Sequence, residues 1–136
     1  MSKIEFKPTD NKVGCFIYTD LQEVKKGQIV EIKKLLDKYG VLFFKNQDLK
    51  PDQYVSFSSH FGTPAKYPML KPHKSFKDIY VIERKKTDTG KSFGEGPHTD
   101  SSYLENPPRF TFLQAIDVPE EGKGNTLFYN QFLAYE

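Results

Sequence analysis

Gly94-Glu95-Gly96-Pro97-His98-Thr99-Asp100-Ser101-Ser102-Tyr103 is the stretch on which the reading of this chain turns. Side chains at i and i+2 of an extended backbone point to the same face. His98 and Asp100 can therefore converge on one small object from adjacent rungs of a sheet. A neutral imidazole and one carboxylate are two of the three ligands in the two-histidine, one-carboxylate set that holds non-haem Fe(II) and leaves coordination positions open. By itself a His-x-Asp pair is a weak motif. A local reading competes with it: Thr99 or Asp100 forms an Asx- or ST-type turn after Pro97, and His98 is an ordinary surface residue. The spacing also suits other divalent ions, and hence a metal-dependent hydrolase.

Working outward, the 136 residues amount to one domain, 1–136, with nothing marking an internal boundary. Twelve Phe and eight Tyr without any Trp leave aromatic rings to carry much of the core. A formal charge of +2, with Lys spread between acids, gives no basic stripe for nucleic acid. The single cysteine, Cys15, excludes an internal disulfide framework and a multi-cysteine zinc site, and reads as a small buried strand residue. No apolar run is long enough to span a membrane. Met1-Ser2-Lys3-Ile4-Glu5-Phe6 lacks the apolar centre of a signal peptide, so a cytoplasmic location is expected.

Ile4–Lys7 alternates in period two and residues 14–18 form a second strand candidate. Between Leu21 and Tyr39, the positions Ile29, Ile32, Leu35, Leu36 and Tyr39 recur at helical steps, and Gly40 follows where a C-terminal cap belongs. Val41-Leu42-Phe43-Phe44 predicts a strand buried on both faces. Pro51 opens a second helix with Tyr54, Phe57 and Phe61 on its apolar face, and His60 falls at its C-terminal end in a capping role. His73 lies in a proline-rich loop without a carboxylate partner. Asp78–Glu83, Phe110–Val118 and Thr126–Tyr129 predict further strands. Glu120–Asn125 is a turn cluster, and Asn130 caps the first turns of a helix at Gln131–Glu136. Because that helix has only started, the chain reads as C-terminally truncated.

Taken together, several blocks resemble the TauD/TfdA (taurine dioxygenase-like) family of Fe(II)- and 2-oxoglutarate-dependent dioxygenases. They are Gly40–Gln47, Leu49–Gln53 with Ser59–Gly62, Pro97–Tyr103 with Asn106-Pro107-Pro108, Gly124–Phe128, and Ala134–Glu136. They occur in the family's order and cover nearly the whole chain. The resemblance implies an α+β fold: a double-stranded β-helix (jelly-roll, clavaminate synthase-like) core with flanking helices, C-terminally incomplete. It implies His98 and Asp100 as iron ligands, and Thr126 as a hydroxyl donor to the far carboxylate of 2-oxoglutarate. A small, polar or anionic organic substrate would be oxidised with O2, releasing succinate and CO2.

There are departures from the family pattern. No His or Arg follows Thr126, so the second histidine ligand and the arginine that pairs with 2-oxoglutarate are not met. Arg109 lies too near the metal segment to serve. The turn before Thr126, Gly122-Lys123-Gly124-Asn125, replaces the family's more usual paired glycines and acid. This chain alone is expected to bind iron weakly and to be inactive. A second expectation is a non-catalytic jelly-roll remnant acting as a binding or structural module. Unpaired sheet edges would then favour self-association into a homo-oligomer.

Overall fold

Cys15-Phe16-Ile17 is the central strand of the only sheet among the described residues, and everything in its unit is arranged about it. The structure, a computed structural model, describes residues 3–11 and 13–136. They fall into two compact units: the described residues up to Leu49 together with Ala115–Glu136, and Lys50–Gln114.

In the first unit, β1 (Phe6–Pro8) pairs antiparallel with β2 (Cys15–Ile17), and β2 pairs in parallel with β3 (Leu42–Phe44). A parallel pair needs a long crossover, and α1 (Lys26–Tyr39) supplies it. Ile29, Ile32 and Leu35 of α1 are buried with Ile4, Cys15, Ile17 and Leu49, so the helical spacing marks the face that packs. Cys15 is fully buried, as its setting predicts, and burial pushes its thiol pKa up. The expected start at Leu21 is corrected to Lys26. Asp20 claims the preceding turn, its Oδ1 accepting from Gln22 N at 2.9 Å and its carbonyl from Glu23 N at 3.2 Å. Gln28 Oε1 reaches back to Lys25 N at 3.0 Å. Gly40 ends the helix at φ 75°, donating to the Leu36 carbonyl at 2.8 Å. The β3 residues are half-buried, where burial on both faces is expected from the run.

In the second unit, α2 (Pro51–Ser59) starts on proline and is closed by His60, whose N–H donates to the Phe57 carbonyl at 3.2 Å. Phe57 and Phe61 form an aromatic cluster with Phe110 and Phe112, at centroid distances of 5.0 to 6.0 Å. The Tyr54 hydroxyl donates to the Phe112 carbonyl at 2.7 Å.

Three strand expectations are corrected. Asp78–Glu83 is reduced to a single bridge between Pro72 and Tyr80. Phe110–Val118 and Thr126–Tyr129 form no strand ladder among the described residues. A strand needs a neighbouring strand for its N–H and C=O groups, and no strand is paired with these segments among the described residues. Part of their apolar surface stays open to solvent, with Ile116 85% and Leu127 73% exposed, while Phe110, Phe112 and Phe128 pack on other rings. The described residues build one three-stranded sheet with three helices, which does not confirm the expected double-stranded β-helix. The turn at Glu120–Asn125 forms as expected, with Gly122 at φ 84° and Gly124 at φ 65°. The last helix, α3 (Gln131–Tyr135), is capped by Asn130, whose Oδ1 accepts from Phe132 N at 2.9 Å and Leu133 N at 3.2 Å. No helix among the described residues is long and apolar enough to cross a membrane.

Candidate metal centre

The loop before His98 is closed on itself by local bonds. Arg84 bonds Ser92 Oγ and the Gly90 carbonyl, and the Glu95 carboxylate accepts from Ser92 N at 2.6 Å. Gly94 and Gly96 take positive φ, 73° and 98°, which turns the chain into His98 at little steric cost. From there the i, i+2 relationship brings the two side chains together: His98 Nε2 lies 3.2 Å from Asp100 Oδ1. The segment is not in a sheet; it runs straight into a turn in which Leu104 N donates to the Ser101 carbonyl at 3.0 Å. The two side chains converge, and the turn that forms is a backbone turn at Ser101–Leu104, beyond the position of the Asx- or ST-type turn expected at Thr99 or Asp100.

The other ring nitrogen, His98 Nδ1, lies 2.9 Å from the Gly96 carbonyl oxygen. That oxygen can only accept, so a bond there requires the proton on Nδ1. The lone pair of Nε2 then faces Asp100 Oδ1, another acceptor. A neutral imidazole has one N–H and here meets two acceptors. A positive species between Nε2 and Oδ1, either a proton or a metal cation, satisfies both contacts. Two donors each about 2.1 Å from one cation, at right angles, lie about 3 Å apart. The observed 3.2 Å fits that arrangement. A backbone carbonyl on the far nitrogen is the usual support of a metal-binding histidine. The side chains are half exposed, 51% and 47%, leaving room for further ligands.

Asp100 has a second partner that the sequence reading missed: the Thr111 hydroxyl donates to Oδ2 at 2.7 Å. The available signal was one hydroxyl between two aromatic residues, Phe110-Thr111-Phe112, where alternation sends Thr111 to the face opposite both rings. Ser101, immediately after Asp100, is 3% exposed and sits at φ 51°, a conformation that a non-glycine residue adopts at some cost. Such positions gather at functional sites.

The remaining histidines are occupied elsewhere. His73 Nδ1 accepts from Ser75 N and Phe76 N, both at 3.2 Å, and so caps a turn. Arg109 lies over the Phe110 ring at 5.1 Å. Among the described residues no third His, Cys, Asp or Glu joins His98 and Asp100. Thr126 belongs to the first unit, where it lines an open cavity of about 570 Å³ with Thr9, Asn11, Phe16, Phe43 and Phe128.

A family model described as taurine catabolism dioxygenase TauD, TfdA family, matches residues 5–136, and the chain belongs to that family. It is 31% identical to pentalenolactone F synthase of Streptomyces avermitilis over 80% of this chain and 38% of that protein. It is 30% identical to an alpha-ketoglutarate-dependent sulfonate dioxygenase of Saccharomyces cerevisiae over all of this chain and 35% of that one. Among solved structures, a candidate alpha-ketoglutarate-dependent taurine dioxygenase from Burkholderia xenovorans superposes with a TM-score of 0.64 at 32% identity, over 78% of this chain and 38% of that one. The chain thus spans little more than a third of the length of these relatives.

Proposed function

We propose that this chain carries the first part of the active site of an Fe(II)- and 2-oxoglutarate-dependent dioxygenase, which oxidises a small organic substrate with O2 and releases succinate and CO2. The observation that carries the reading is the His98–Asp100 pair, with Nε2 and Oδ1 3.2 Å apart and Nδ1 2.9 Å from the Gly96 carbonyl oxygen. His98 and Asp100 would hold the metal. The Gly96 carbonyl fixes the ring and its tautomer. When bound, Fe(II) supplies the redox centre at which the keto acid and O2 react. From the family resemblance, the Thr126 hydroxyl would donate to the far carboxylate of 2-oxoglutarate and so orient it. Family membership supports the jelly-roll core as the setting for these residues within one dioxygenase domain. The sulfonate named for the yeast relative supports a polar or anionic substrate.

Mn(II) titration of the chain, followed by water-proton relaxation, tests the reading. Wild type should bind Mn(II), and His98→Ala and Asp100→Ala should each weaken binding at least about tenfold. Added 2-oxoglutarate should tighten retention of the metal, and Thr126→Val should remove that gain. Failure of the wild type to bind Mn(II), or equal binding by both ligand variants, overturns the proposal. A second reading, a non-catalytic jelly-roll module, draws on the exposed apolar side chains Ile116, Leu127 and Phe132. It requires a self-associated species by mass measurement, and metal binding that is indifferent to 2-oxoglutarate.

A further inference from the structure

We infer that Thr111 is a positioning residue that makes Asp100 a one-oxygen ligand, and so keeps a coordination position open for other groups. The inference rests on the metal reading of His98 and Asp100. A free carboxylate turns easily about its last torsion and presents either oxygen, or both, to a cation. Here the two oxygens are not equivalent: Oδ1 faces His98 Nε2 at 3.2 Å, and Oδ2 accepts from Thr111 Oγ1 at 2.7 Å. With Oδ2 engaged, chelation through both oxygens would require breaking a charge-assisted hydrogen bond.

The donor is held from both sides. Phe112 packs on Phe57 and Phe61 at 6.0 and 5.0 Å, and Phe110 packs on Phe61 at 5.7 Å. The Phe112 carbonyl accepts from the Tyr54 hydroxyl at 2.7 Å. The residues on either side of Thr111 are thereby pinned to α2 and its extension, and the hydroxyl is left on the opposite face toward Asp100. The aromatic cluster thus does more than fill a core. It sets the position of a hydroxyl that selects which oxygen of Asp100 is available.

The test compares Thr111→Val, which keeps the shape and removes the donor, with Thr111→Ser, which keeps the donor. Mn(II) dissociation constants and Mn(II) electron paramagnetic resonance spectra are measured on each, with thermal unfolding of the metal-free chains as a check on folding. Thr111→Val should bind Mn(II) about 10- to 100-fold more weakly or with an altered spectrum, while Thr111→Ser restores wild-type behaviour. Unchanged affinity and spectrum in Thr111→Val overturn the inference while leaving the metal reading intact. A wild type that binds no Mn(II) overturns both. Should Thr111→Val not fold, Thr111→Ala against Thr111→Ser asks the same question: equal affinities overturn the inference, and a loss in Thr111→Ala alone supports it.

Discussion

His98 Nε2 and Asp100 Oδ1 face each other at 3.2 Å while the far nitrogen of the same ring, Nδ1, is held 2.9 Å from the Gly96 carbonyl. Two groups that share one cation should not act independently. In Mn(II) titrations, the loss in the double variant His98→Ala/Asp100→Ala should therefore be smaller than the two single losses added together. Strictly additive losses would show that the two side chains bind separately.

Gly94 sets the approach of the ring. A Cβ on Gly94 would stand 3.4 Å from His98 Cε1 and 3.8 Å from Nε2, at a backbone φ of 73°. The contact is ordinary; the backbone is the costly part, about 1 kcal/mol or more for a side-chain-bearing residue in that region. Gly94→Ala should therefore shift the loop and, with it, the imidazole. The expected outcome is Mn(II) binding weakened several-fold, with a change in unfolding midpoint no larger than this local strain implies. Mn(II) titration beside urea denaturation separates the two effects.

How much of this was legible in the sequence depends on what each signal encodes. The α1 face was readable because Ile29, Ile32 and Leu35 pack where their spacing puts them, and Gly40 takes the positive φ its position predicts. The i, i+2 convergence of His98 and Asp100 was readable for the same reason: it depends on one short backbone stretch. The segments 78–83, 110–118 and 126–129 were not, because alternation records which side of a strand is apolar and says nothing of whether a partner strand lies alongside. The Gly96 carbonyl is a backbone group and leaves no mark in residue type. Thr111 left a faint one, visible only once Phe110 and Phe112 are known to pack on Phe61. The role given to Thr126 comes from resemblance, as the cavity it lines joins Thr9, Asp10 and Asn11 to Phe16, Phe43 and Phe128 and includes no cationic side chain to mark a keto-acid site.

Tyr54 gives a pH prediction on stability. Burial pushes its hydroxyl pKa above the ordinary value, and the hydroxyl donates to the Phe112 carbonyl. The folded state thus holds the proton more tightly than the unfolded chain does. Its contribution is fully present below the unfolded value of about 10 and is lost as pH rises through the raised folded value. Tyr54→Phe, which lacks the hydroxyl, should be less stable by about 1 kcal/mol near neutrality. The gap between the two proteins should narrow as pH is raised beyond about 10. Urea midpoints of both chains across that range check it, and a gap that widened with pH would reverse the assigned sign.

Gly14, which leads into the central strand, is the position least tolerant of a side chain. Its φ is 104°, and a Cβ there would lie 2.6 Å from Phe43 Cε2 and 2.8 Å from Val41 Cγ1. Two costs add in Gly14→Ala: a backbone region that non-glycine residues rarely adopt, and a clash with a ring that already packs on Phe16 at 5.4 Å and Phe128 at 5.8 Å. The expected loss is about 2–5 kcal/mol, large against the stability of any small domain. Shortening the ring in Gly14→Ala/Phe43→Leu removes the clash with Phe43 and leaves the Val41 contact and the backbone strain. The double variant should therefore be more stable than the two single losses added together, by about 1–3 kcal/mol. Urea unfolding of the four proteins measures that coupling. Strict additivity would mean that the β2–β3 edge relaxes around the methyl and that φ alone sets the cost.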